Sequence, residues 1–133
     1  ATLEQLGAAA LFNETPASYL KAVNEEYCKR RDTLYNELMK VDGVICEKPM
    51  GAFYIVAKLP VDNAEDFVKW MLQEFRMDGA TVMATPAEGF YATPGLGRDE
   101  IRLAYILKEE DLKVAGKLLA EGLKAYKTAM ANA

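Results

Sequence analysis

Residues 100–106, EIRLAYI, alternate with a period of two, the pattern of a half-buried β-strand. Ile101, Leu103 and Tyr105 share one face; Glu100, Arg102, Ala104 and Ile106 share the other. Other segments follow the helical period. Leu3, Leu6, Ala10 and Phe12 predict a short helix over 3–13. Thr15 and Pro16 form a helix start, because threonine caps and a proline at the first helical position needs no N–H partner. Leu20, Val23, Tyr27, Leu34 and Leu38 then predict a long helix over 16–40.

VDGV at 41–44 reads as a turn, followed by a short strand at 44–48. Residues 52–58 form a strand apolar on both sides, as in strands buried on both faces. Asp62 with Glu65 three positions later has the form of a capping box. Phe67, Val68, Met71, Leu72 and Phe75 give the next helix one apolar stripe, with Trp70 packing at its border. Residues 79–86, GATVMATP, read as a short strand, and 87–99 as a thirteen-residue Gly/Pro loop. The last helix begins at Glu109, with acids at its positive end and Leu112, Ala115, Leu119, Leu123 and Tyr126 in register. The order α-α-β-β-α-β-β-α predicts an α+β fold. Its form is a two-layer sandwich: a small, mainly antiparallel sheet with helices packed on it, plus the long N-terminal helix.

Composition narrows the functions open to this fold. The 133 residues suit a single domain, 1–133, and 51% hydrophobic with 27% charged residues is ordinary for a soluble protein. A net charge of −4 argues against nucleic-acid binding. No apolar run approaches the roughly 18 residues that span a bilayer, and no signal peptide is evident. Histidine is absent and Ser18 is the one serine, so Ser-His-Asp and Cys-His mechanisms are excluded within this sequence. Cys28 and Cys46 lack metal-ligand spacing and read as reduced thiols of a cytoplasmic protein. The sequence opens on Ala1 and enters a helical pattern at once, the pattern of a segment of a longer protein or of a processed N-terminus.

Three places depart from packing logic. A mid-strand guanidinium at Arg102 is costly to bury unless an anion meets it. That anion is either a bound carboxylate or phosphate, captured through the planar N–H fork, or an acid of this chain such as Glu88 or Asp99. PMGAFY at 49–54 sets Gly51 before a strand, the mark of a bulge or a close backbone approach, or of core aromatics behind a turn. EGFYATPGLG at 88–97 is either a functional loop or a connection; it holds no nucleotide-binding fingerprint. No lysine is evident in a desolvated pocket or beside a cofactor cradle.

The ordered set RRDTL, PMGAFY, the Gly/Pro loop, EIRLAY and EEDL resembles the C-terminal part of class I/II aminotransferases, the pyridoxal-phosphate enzymes of the aspartate aminotransferase type. The resemblance runs over residues 3–127. It implies that the chain is the small domain of a longer enzyme, closing over an active site built mostly by a large domain. That absent domain would hold pyridoxal 5'-phosphate and carry the lysine, the aspartate and the phosphate cradle that bind it. By the same resemblance Arg102 holds the substrate α-carboxylate, Phe53 lines the pocket beside it, and Tyr91 lies near the substrate entrance. The implied reaction moves an amino group between an amino acid and a 2-oxo acid in a homodimer, and this segment alone is inactive. Same-fold lyases and decarboxylases use such an arginine equally. A stand-alone α+β binding module is the reading from another class. Lys108 departs from the family by standing where a capping residue often begins the final helix.

Overall fold

Strand β4 (Glu100–Ala104) is the centre of the architecture, and its alternation is the one the sequence predicts. Ile101, Leu103 and, just beyond the strand, Tyr105 are buried, while Arg102 is half-buried and Ala104 exposed. The computed structural model describes residues 1–132. Two helices, α1 (Thr2–Glu14) and α2 (Ala17–Leu38), precede strands β1 (Ile45–Cys46) and β2 (Tyr54–Lys58). Helix α3 (Ala64–Gln73), strand β3 (Thr85–Pro86), a 3₁₀ turn at Glu88–Phe90, β4 and helix α4 (Glu109–Ala131) complete the α+β chain. The four strands form one antiparallel sheet in the order β1-β2-β4-β3.

The core lies on one face of that sheet. Ile55 and Ala57 of β2 and Ile101 and Leu103 of β4 join Leu34 and Leu38 of α2, Phe67 and Met71 of α3, and Leu112, Leu119 and Leu123 of α4. Burial of such side chains, at about 25 cal/mol per Å², is the main force holding helices to sheet. Trp70 packs among Phe75 and Tyr126, as its border position predicts. Tyr105 anchors the entry to β2: its hydroxyl donates to the carbonyls of Gly51 and Ala52 at 3.1 and 3.0 Å. The left-handed backbone there belongs to Ala52, φ 62°, and not to the glycine before it.

Several boundaries differ from the pattern reading, each for a local reason. Pro16 is the N-cap of α2, and the Thr15 hydroxyl donates back to the Leu11 carbonyl at the end of α1. Asn63, not Asp62, caps α3: its side-chain oxygen accepts from the Glu65 and Asp66 amides. Of 79–86 only Thr85 and Pro86 pair with β4, because Asp78 and Gly79, at φ 53° and 76°, turn the chain and leave Met77 bridged to Ala80. The predicted strand at 44–48 pairs only at Ile45–Cys46, and the helix at 16–40 spans Ala17–Leu38. Strand β2 is buried on one face only, since α2, α3 and α4 pack on the other side from Tyr54 and Val56, which are 39% and 40% exposed. Leu72 falls outside the buried stripe of α3, and α1 buries no residue at all. Among the described residues no helix is long and apolar enough to cross a membrane.

Candidate functional site

The face of the sheet turned away from the core carries Arg102. Its ladder neighbours are Val56 of β2 and Thr85 of β3, neither of which is charged. Instead the guanidinium carbon lies over two aromatic rings, 5.2 Å from the centroid of Tyr54 and 4.6 Å from that of Phe90. Tyr54 stands opposite Ala104, two residues along from Val56, so its ring reaches Arg102 diagonally on the shared face. Phe90 arrives from the 3₁₀ turn that follows β3.

Arg102 has no acidic partner among the described residues. Asp99 pairs with Lys58 at 2.8 Å, an interaction that also raises the lysine's pKa. Glu100, two residues before Arg102 on the same face, accepts a hydrogen bond from the Tyr91 hydroxyl. That bond pushes the Tyr91 pKa up, because the neutral phenol is the form that donates. Gly97, at φ 72°, makes room for the Tyr91 ring: a Cβ there would lie 2.3 Å from it. The amide of Ala87 donates to the Glu100 carbonyl at 2.9 Å, which fixes the start of the 3₁₀ turn on β4. Glu88 forms no ion pair with Arg102.

The three residues singled out in the sequence have different neighbours in the fold. Arg102 sits on an open face with no N–H donor spent on a described residue. Phe53 is 55% exposed and meets Tyr54 edge-on, with ring centroids 6.0 Å apart. Tyr91 engages Glu100. The aromatic rings over Arg102 are the sequence neighbours of those two, Tyr54 and Phe90. Alternation from Arg102 and the antiparallel register would have placed Tyr54 on its face; nothing in the sequence gave the conformation of the loop that brings Phe90 there.

Among the described residues no lysine is set up for Schiff-base chemistry. Every lysine is exposed, and Lys48 and Lys58 are held by Asp32 and Asp99. None has the desolvated setting that makes an ammonium a nucleophile near neutral pH. No group of histidine, cysteine, aspartate and glutamate that could hold a metal occurs among the described residues. A guanidinium placed in this way offers a planar N–H fork that a carboxylate or phosphate could meet.

Comparison with known proteins gives this arrangement a context. Residues 1–117 match the family described as aminotransferase class I and II. A probable aspartate/prephenate aminotransferase of Aquifex aeolicus is 33% identical over 130 residues, covering 97% of this chain and 30% of that protein. An aspartate aminotransferase of Sulfurisphaera tokodaii is 31% identical over 129 residues, covering 92% of this chain and 28% of its own. The solved alanine aminotransferase of Pyrococcus furiosus superposes with a TM-score of 0.73 at 29% identity, over 89% of this chain and 29% of that one. The chain thus spans less than a third of the length of these relatives.

Proposed function

Because this chain belongs to the class I and II aminotransferases, we propose that it is the C-terminal small domain of a pyridoxal-phosphate enzyme that transfers an amino group between an amino acid and a 2-oxo acid. Arg102 is the group that binds the α-carboxylate common to both substrates. The observation that carries this reading is a half-buried guanidinium, on an open sheet face, that meets no carboxylate of the described residues. A planar carboxylate satisfies two of its N–H groups at once, and such charge-assisted pairs are typically worth about 1.5–3 kcal/mol.

The cofactor, held by the rest of the enzyme, supplies the electron sink. What this chain supplies is orientation. Fixing the carboxylate restricts rotation of the substrate and sets the direction of its Cα–H bond, a positioning contribution to rate. The exposed Tyr54 and Val56 on the same sheet face support contact between this face and the remainder of the enzyme, which on domain closure would exclude water from Arg102. The resemblance also supports a homodimer. Cys28 and Cys46, both unpaired thiols, accord with a cytoplasmic protein. Alone, without a buried lysine, the chain is inactive in transamination.

The test is Arg102→Lys in the full-length enzyme. A point charge replaces a planar fork, so KM for amino acids is expected to rise by roughly tenfold or more, the equivalent of about 1.4 kcal/mol. Unchanged KM and kcat for L-aspartate, L-alanine and L-leucine would remove Arg102 from substrate binding.

A further inference from the structure

We infer that Tyr54 and Phe90 are positioning residues for the carboxylate-binding arginine: their two ring faces hold the Arg102 guanidinium where a carboxylate of the chain would otherwise hold it, and leave its N–H donors free for substrate. The inference rests on the reading of Arg102 as the carboxylate site and extends it to the residues that aim it.

A flexible arginine on an open face has two usual fates. It samples many rotamers, or it is fixed by an acid that also uses up its N–H groups. Arg102 follows neither course. The acids nearest in sequence are engaged elsewhere, Asp99 by Lys58 and Glu100 by Tyr91. The guanidinium carbon lies over both rings, at 5.2 and 4.6 Å, within the range at which a ring quadrupole attracts a cation. Such an attraction uses the face of the ring and requires no N–H donor. It therefore restrains the cation without competing with a planar ligand for the same hydrogen bonds.

The two rings reach Arg102 from different parts of the fold. Tyr54 is fixed by the β2–β4 ladder through its pairing with Ala104. Phe90 depends on the 3₁₀ turn at Glu88–Phe90, which is tied to β4 by the Ala87 amide and the Tyr91 hydroxyl. The Gly/Pro loop thus contributes to substrate capture through Phe90, by setting how long the arginine stays aimed.

The experiment uses the full-length enzyme with Tyr54→Leu, Phe90→Leu, Tyr54→Phe, Phe90→Tyr and Arg102→Lys. Leucine keeps an apolar side chain and removes the ring; Phe and Tyr exchange keeps the ring. Binding of 2-oxoglutarate is measured by calorimetry, and KM and kcat with L-aspartate. Each leucine variant is expected to raise Kd and KM by roughly fivefold, the loss of one exposed cation–π contact. The effect on kcat is expected to be smaller, and both ring-preserving variants are expected to behave as the parent enzyme. If Arg102→Lys impairs binding and neither leucine variant does, the aromatic seat is wrong and the carboxylate reading stands. If Arg102→Lys leaves binding unchanged, the carboxylate reading fails and this inference with it. Tyr54 and Phe90 are tested independently, so failure of one variant to fold leaves the other to decide.

Discussion

The Tyr91 hydroxyl donates to the carboxylate of Glu100, the acid two residues from Arg102 on the same face of β4. The bond ties the loop to the strand and also occupies the acid best placed to neutralise the arginine. Tyr91→Phe releases Glu100, which then competes with substrate for Arg102. In the full-length enzyme KM for amino acids is expected to rise roughly two- to fivefold, the scale of a solvent-exposed ion pair. Adding Glu100→Gln removes the competitor and is expected to restore the parent value. A double variant as weak as Tyr91→Phe alone would mean that Glu100 and the substrate carboxylate never compete for Arg102, and that Tyr91 acts only on the loop.

Asn63 and Asp62 offer a sharp test of the start of α3. The Asn63 side chain accepts from the amides of Glu65 and Asp66, at 2.8 and 3.4 Å. Replacing it with alanine leaves those donors without a partner and is expected to cost about 1 kcal/mol, read as a shift in urea midpoint. Asp62→Ala is expected to cost much less. Equal losses would return the cap to Asp62.

Two glycines of α4 lie against different neighbours. A Cβ at Gly116 would sit 2.4 Å from the Glu37 Cβ, which is fixed to the backbone of α2. A Cβ at Gly122 would sit 2.3 Å from the Met71 sulfur, at the mobile end of a long side chain. Gly116→Ala is expected to destabilise, since overpacking costs about 1–3 kcal/mol and exceeds the gain of about 1 kcal/mol from helix propensity. Gly122→Ala is expected to be near neutral, because methionine adapts. Thermal melts of the two variants give the comparison, and a Gly122→Ala loss as large as that at Gly116 would refute it.

Legibility followed the kind of force involved. β4 was readable because alternation of Ile101, Leu103 and Tyr105 reflects burial on one face, which depends on the chain's own residues. Helices α2, α3 and α4 were readable for the same reason. Residues 79–84 misled because Val82 and Ala84 are apolar and partly buried against the core, yet reach it without a strand ladder. β2 misled in the opposite sense: Tyr54 and Val56 are apolar positions left 39% and 40% exposed on the face away from the core. At the site, the position of Arg102 was legible, Tyr54 follows once the β2–β4 register is known, and Phe90 was not legible. Which of two adjacent aromatics turns toward a side chain depends on register for residues 53 and 54 and on loop conformation for 90 and 91. Sequence spacing fixes neither.

Burial of Cys46 is expected to show in both its reactivity and the pH dependence of stability. The Cys46 sulfur faces the carbonyl of Val56 at 3.4 Å, and burial pushes its thiol from 9.0 up to about 11. Cys28 is exposed on α2. With iodoacetamide at pH 8.5, Cys46 is expected to react slowly, because only the thiolate attacks and burial keeps this thiol protonated. The same shift enters stability. Above pH 9 the unfolded chain begins to lose the Cys46 proton while the folded chain keeps it until about pH 11. The unfolded state then binds fewer protons than the folded state, so stability falls as pH rises through that window. Tyr105 and Tyr126, whose pKa values burial also raises, extend the loss at higher pH. Urea midpoints measured from pH 8 to 11 are expected to decline for the parent chain and to decline less for Cys46→Ala. Parallel curves for the two would show that the thiol stays protonated no longer in the folded chain than in the unfolded one.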